Sequence, residues 1–379
     1  MQEYERLSVS AAPDPHGALT RLILAAIARH GGWLPFDRYM AMALYAPGLG
    51  YYASPGRKFG MLPQTGSDFV TAPELSPLFG RALARQVEQA LRASGTREVW
   101  EFGAGSGALA AQLLEALGQG SAAAMQRYTI VDLSGTLRER QRERLAAHGD
   151  TVRWVDALPE AMQGVIVGNE VLDAMPVQLL HFDGAQWFER GVVAGAECLA
   201  WSDRPTTLRP PFDGPFAPGT VTEVHPQAEA FIATIADRLT RGAAFFIDYG
   251  FPEAEYYHPQ RIGGTLMCHR AHRADTDPLA DVGAKDITAH VNFSAIALAA
   301  QNAGLDVLGY TTQAHFLINC GVLDLLQGAD VKTIANTQKL LTEHEMGELF
   351  KVIGFAKGCE PAFATAPLGF ARGDRTHTL

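Results

Sequence analysis

Glu101-Phe102-Gly103-Ala104-Gly105-Ser106-Gly107 follows a short apolar run at 99–102 and leads into a helix-forming run at 108–117. Glycines at alternate positions let the backbone turn sharply after a strand, and let a ligand approach where a Cβ would block it. The next apolar run, 128–132, ends in Asp132. A carboxylate there suits both hydroxyls of a ribose. The dinucleotide fingerprint sets its third glycine three positions after the second, whereas this chain has Gly107 and then Ala108. S-adenosylmethionine has no pyrophosphate to cradle, so a loop built around its amino-acid tail suffices, with Glu101 organising the ammonium. A structural turn or a nicotinamide site remains the alternative reading of the loop by itself. The residues assigned to the cofactor here are Glu101, Gly103, Ala104, Gly105, Gly107, Asp132 and its neighbour Leu133.

From residue 98 the pattern alternates between short apolar runs and helical periodicity. Strands are predicted at 99–102, 128–132, 152–156, 165–169 and 244–248, and helices at 108–117, 137–147 and 293–303. Such alternation needs crossover connections and predicts an α/β fold, a doubly wound, mainly parallel, Rossmann-like sheet. Three runs at 177–182, 186–193 and 198–202, with Asp183-Gly184 as a turn, read as antiparallel strands inserted at about 177–220. Residues 1–93 read as a helical N-terminal region. One helix there ends at Gly31-Gly32, a second spans 36–44, and a third begins with Ser76 as cap and Pro77 in its first turn. The expected division is thus 1–93 and 94–379, with a long loop from 249 through 285 and a frayed tail at 372–379.

The acceptor side is expected at Asn169-Glu170-Val171-Leu172-Asp173, directly after the fourth strand. In doubly wound sheets the ligand crevice lies beyond the carboxyl ends of the strands. Methyl transfer moves positive charge from a sulfonium onto the acceptor, and fixed carboxylates favour that shift. Glu170 and Asp173 would share a face if the segment began a helix, and could then grip a guanidinium in paired hydrogen bonds. Asn169 is assigned to both substrates. Asp156 has two readings, a contact to the adenine amino group or a helix cap. Asp248-Tyr249-Gly250 ends a strand on the same edge. His290 completes the catalytic candidates, although a lone histidine before an apolar helix is more often structural. His269, His272 and Asp275 read as solvated surface, and no metal site is expected.

The 379 residues are 47% hydrophobic and 19% charged with a formal net charge of −10, which argues against broad nucleic-acid binding. Four dispersed cysteines fit a reducing compartment. With no signal-like N-terminus and no membrane-length apolar window, the expected location is cytoplasmic.

Beyond these readings the chain resembles the MidA family of class I methyltransferases, over roughly residues 31–358. The likeness rests on Ala43-Leu44-Tyr45-Ala46-Pro47, Gly50-Tyr51-Tyr52, Asp68-Phe69-Val70-Thr71-Ala72-Pro73-Glu74-Leu75-Ser76, the glycine loop, the runs 168–177 and 247–250, and 286–293. The resemblance implies S-adenosyl-L-methionine as cofactor, an inserted substrate-side subdomain and a protein arginine as acceptor, a respiratory-complex subunit being the family's characterised target. A homodimer is the candidate assembly. The family commonly has Glu where this chain has Asp132, an arm one methylene shorter with the same chemistry. The 68–76 segment reads as a cofactor lid that excludes water, with Asp68, Thr71, Pro73 and Glu74 as contacts, or alternatively as a capped loop. A donor-binding assembly chaperone and a small-molecule methyltransferase are the competing functions.

Overall fold

The computed structural model describes residues 15–53, 70–119, 125–132, 135–270 and 273–379. The alternation from residue 98 folds as an α/β sheet. Its strands lie in the order Asp306–Thr312, Phe350–Lys357, Leu239–Phe251, Met162–Asn169, Glu98–Phe102, Arg127–Val131 and Val152–Val155, with Val291–Asn292 beside Leu239–Phe251. Of these described strands, Phe350–Lys357 alone runs opposite to the rest of the sheet. The chain steps outward from Glu98–Phe102 to Val152–Val155, then returns to start the other half at Met162–Asn169. Those two starting strands are paired, and the reversal between them opens a crevice at their carboxyl ends.

Helices Pro77–Ser94 and Ala108–Gln119 cover one face of this sheet, and Pro226–Arg238 and Phe293–Asn302 cover the other. The first is delimited as its sequence dictates. The Ser76 hydroxyl accepts from the Leu78 N–H at 3.2 Å, Pro77 occupies the first turn, and Gly95 ends the helix at φ +61°.

A second sheet of five strands is antiparallel and built from Leu34–Pro35, Trp187–Ala194, Gln178–Phe182, Val221–Val224 and Leu199–Pro205. Leu19, Ile23 and Ile27 of helix Pro15–Arg29 and Phe36, Met40 and Leu44 of helix Phe36–Tyr45 share one core with Leu179, Val192 and Leu199. The first two N-terminal helices and the insertion are therefore packed as one body beside the main sheet, while Pro77–Ser94 belongs to the main sheet's own core.

Two expectations are corrected. The stretch 249–285 is not a plain loop: it carries the helical turn Glu253–Tyr256 and the strands Met267–Arg270 and Arg273–Asp275, joined by Asp286–Thr288 in a three-stranded sheet. Cys268 and Ile287 of that sheet are buried in the N-terminal core, so burial outweighs runs too short to show a period. The tail is tied down rather than frayed. The Tyr310 N–H donates to Asp374 Oδ1 at 3.0 Å, the Arg375 N–H to the Tyr310 carbonyl at 2.6 Å, and Arg375 meets Glu348 at 2.5 Å. These bonds satisfy backbone groups along an edge strand. No described helix is long and apolar enough to cross a membrane.

Candidate active site

A cleft of 1090 Å³ opens at the carboxyl ends of the central strands. Its inner half is walled by the glycine loop. Gly103 and Gly105 take φ values of +63° and +52°, and a Cβ on Gly103 would lie 3.0 Å from Val171, so the alternate glycines serve both turn and close approach. Glu101, 2% exposed, accepts from the Tyr128 hydroxyl at 2.7 Å, and burial pushes its pKa up to about 8. Asp132 and Asp156 line the same half.

Gln141 holds this half together. Its Nε2 donates to the Gly105 carbonyl at 3.0 Å and to Asp132 Oδ2 at 2.7 Å, while its Oε1 accepts from Trp154 Nε1 at 2.9 Å. The loop and the Asp132 carboxylate are thereby kept in one register. Nothing in the residue pattern marked Gln141, because it sits on a helix whose other residues are mostly charged.

Several sequence assignments fall elsewhere. Thr71, Pro73 and Ala104 line the cleft, but Glu74 and Gly107 do not. The Glu74 carboxylate accepts from the Ser106 hydroxyl and pairs with Arg144 at 2.8 Å, gripping the loop from behind. Gly107, at φ +80°, turns against Gln141 and Arg144. Asp156 is ion-paired with Arg138 and no helix follows it, so a helix-capping role falls away. Asp68 and Leu133 lie outside the described residues.

The outer half is acidic and aromatic. Glu170 does not begin a helix: it sits at φ +54°, in the left-handed region that non-glycine residues rarely occupy. Its N–H donates to the Ile247 carbonyl at 2.9 Å, and its Oε1 accepts from Asn169 Nδ2 at 2.9 Å. The turn after it is pinned by Asp248, whose Oδ2 accepts from the N–H groups of Val171, Leu172 and Asp173 at 3.1, 2.9 and 3.3 Å. Burial, reinforced by the charge of Asp173, pushes Glu170 up to about 8. Burial likewise pushes Asp173 up to about 6, against the Tyr249 hydroxyl bonded to its Oδ2 at 2.5 Å. Asp286 joins these acids from the three-stranded sheet.

His290 lines the cleft, stacked on Phe251 at 5.2 Å and edge-on to Tyr249 at 5.0 Å. Burial lowers its pKa to about 4, so the ring is neutral at pH 7. His269, read from sequence as surface, lines the cleft as well, whereas Asp275 pairs with Lys285 at 2.9 Å and His272 is outside the described residues. Tyr45, Tyr52, Tyr249 and Asp286 also line it; each lies in a sequence run already named, but none is assigned to the site individually from sequence. Asn169 Oδ1, Asp173 Oδ1, Thr288 Oγ1 and His290 Nδ1 are buried without a hydrogen-bond partner, and all four residues belong to this wall. Buried polar atoms are ordinarily satisfied, so the wall is fitted to ligands that bring donors and acceptors with them.

The strand order and this glycine-walled cleft define an S-adenosylmethionine-dependent methyltransferase. Residues 82–311 match the family of S-adenosyl-L-methionine-dependent methyltransferases, and the chain belongs to that family. A superfamily member from Burkholderia thailandensis, solved with S-adenosyl-homocysteine bound, is 52% identical and superposes with a TM-score of 0.92 over 97% of this chain and 99% of that one. Curated relatives named protein arginine methyltransferase NDUFAF7, mitochondrial, or its homolog, are more distant. That of Mus musculus is 28% identical, covering 84% of this chain and 80% of its own, and that of Caenorhabditis elegans 25%, covering 82% and 78%. The MidA resemblance, the α/β class and the methyl donor therefore stand. The cytoplasmic expectation does not, because these relatives are mitochondrial by name.

Proposed function

We propose that the enzyme transfers a methyl group to an arginine side chain of a protein. The observation that carries this reading is the placement of Glu170, Asp173 and Asp286 in one cleft wall, with Asp173 Oδ1 unpartnered. The names of the curated relatives support it.

The donor site fits the cofactor. Glu101 would hold the ammonium, Gly103 and Gly105 would admit the amino-acid tail, and Asp132, steadied by Gln141, would hold the ribose. When bound, the donor supplies a methyl group on a sulfonium. The charge of a bound guanidinium would draw Glu170 and Asp173 into their carboxylate forms, and the two then orient it so that one nitrogen lone pair faces that carbon. As the new N–C bond forms, the C–S electron pair returns to sulfur, and the methylated nitrogen gives up a proton to a carboxylate of the turn. Asn169 Oδ1, unpartnered beside Glu170, accepts from whichever substrate N–H reaches it. Orientation and fixed charge do most of the work.

The test is transfer of labelled methyl from the donor into a protein extract, with mass spectrometry of the products. Label is expected on arginine, and Glu170→Gln should cut transfer on the order of 100-fold while S-adenosylhomocysteine still binds. Label on another residue type, or an unimpaired Glu170→Gln, would refute the reading.

A further inference from the structure

The motifs at 43–47 and 50–52 have so far explained nothing but a family likeness. In the structure both place a tyrosine in the cleft wall. The Tyr45 hydroxyl donates to the Ala174 carbonyl at 2.8 Å, on the turn that carries Glu170 and Asp173. The Tyr52 hydroxyl donates to the Asp286 carboxylate, 2.9 Å from each oxygen. The two rings stack with centroids 5.6 Å apart and planes 21° from parallel. Tyr51, fully buried, packs edge-on against Tyr52 at 5.0 Å.

Each ring is thus tethered through its hydroxyl to a different part of the acceptor side. Helix Phe36–Tyr45 and the turn after it supply the rings, the turn after Met162–Asn169 supplies Ala174, and the three-stranded sheet supplies Asp286. With these hydroxyls committed, the rings offer aromatic surface, and Tyr45 remains 43% exposed. The neighbouring acids are near-buried: Asp173 is 5% and Asp286 3% exposed, and Asp173 Oδ1 has no partner. Burial first, and the charge of Asp286 after it, push the Tyr52 phenol upward.

We infer that Tyr45 and Tyr52 are specificity-determining residues of the acceptor channel, a stacked aromatic wall that favours a planar guanidinium over an ammonium. A guanidinium laid on an aromatic face keeps its edge N–H groups free for carboxylates. An ammonium is a compact, strongly hydrated charge and has no flat face to stack. The inference rests on the arginine reading and names residues that enforce it.

The experiment titrates N-acetyl-arginine methylamide and N-acetyl-lysine methylamide, by NMR, into enzyme saturated with S-adenosylhomocysteine. Wild type should bind the arginine probe about fivefold more tightly than the lysine probe. Tyr45→Phe should keep that ratio, because the ring remains. Tyr45→Leu and Tyr52→Leu should bring it to about one. Calorimetry with S-adenosylhomocysteine, expected to be unchanged, shows that the donor half is intact. Should Tyr52→Leu damage the fold, the more exposed Tyr45→Leu decides. No preference in wild type, or a preference that survives Tyr45→Leu, overturns the inference. The arginine reading fails separately, if the labelled product of wild type is not methylarginine.

Discussion

Glu101 is a buried carboxyl that, on the proposed donor site, would couple donor binding to protons. Its pKa stands at about 8 because burial disfavours the charge and a lone tyrosine hydroxyl offsets only part of that cost. At pH 7 the group in the free protein is mostly protonated. An ammonium brought beside it favours the carboxylate, so binding of S-adenosylhomocysteine at pH 7 should release close to one proton. Affinity should rise with pH up to about 8 and then level off. Calorimetry in buffers of different ionisation enthalpy reads the release directly. Glu101→Gln should abolish it and weaken binding roughly 10- to 100-fold, the range expected for a hydrogen bond to a charged group. A release that persists in Glu101→Gln would assign the proton elsewhere.

At the scale of elements, the turn after Met162–Asn169 depends on the neighbouring strand Leu239–Phe251. Asp248 Oδ2 takes three successive N–H groups of that turn, so it acts as a positioning residue for Glu170 and Asp173. Asp248→Ala leaves those donors unpaired in a buried place, at a cost of about 2–4 kcal/mol in stability. Its kcat should fall at least about tenfold while the affinity for S-adenosylhomocysteine changes little. A thermal melt and steady-state kinetics check the two halves, and an unaltered kcat would leave Asp248 a purely structural residue. The same strands show what the sequence made legible. Five of the main strands are apolar runs between turn signals, so the parallel half of the sheet, the glycine loop and the run after Asn169 could be read directly. Asp306–Thr312 and Phe350–Lys357 are not among the strands predicted from sequence. The left-handed backbone at Glu170 could not, because side-chain pattern carries no record of a φ angle that a neighbouring strand enforces. Tyr52 and Asp286 lie more than 200 positions apart and meet only through tertiary packing. Gln141 and His269 were hidden similarly, the one on a helix of charged residues and the other in a strand too short to alternate visibly.

For the whole molecule, the buried titrating groups set opposite slopes of stability with pH. Glu101 and Glu170 keep their protons to about pH 8 in the fold but lose them near pH 4.3 when unfolded. The unfolded chain therefore binds fewer protons across that window, and stability falls as pH rises through it. His225 and His290 are held near 4, below the unfolded value of about 6.5, so their effect runs the other way and stability falls as pH drops from 6.5 to 4. The ligand-free protein should melt highest around pH 5 to 5.5. Glu101→Gln and Glu170→Gln should flatten the alkaline limb, and His225→Gln the acid limb. Melting temperatures that climb steadily from pH 6.5 to 8 would contradict this balance.

The tethered tail has a practical corollary. Arg375 grips Glu348, the residue before Leu349 and Phe350 in the cleft wall, and Leu379 packs against the core. A preparation trimmed before Arg375 would release a segment one residue removed from the cleft wall, so turnover should be measured on protein that keeps residues 372–379.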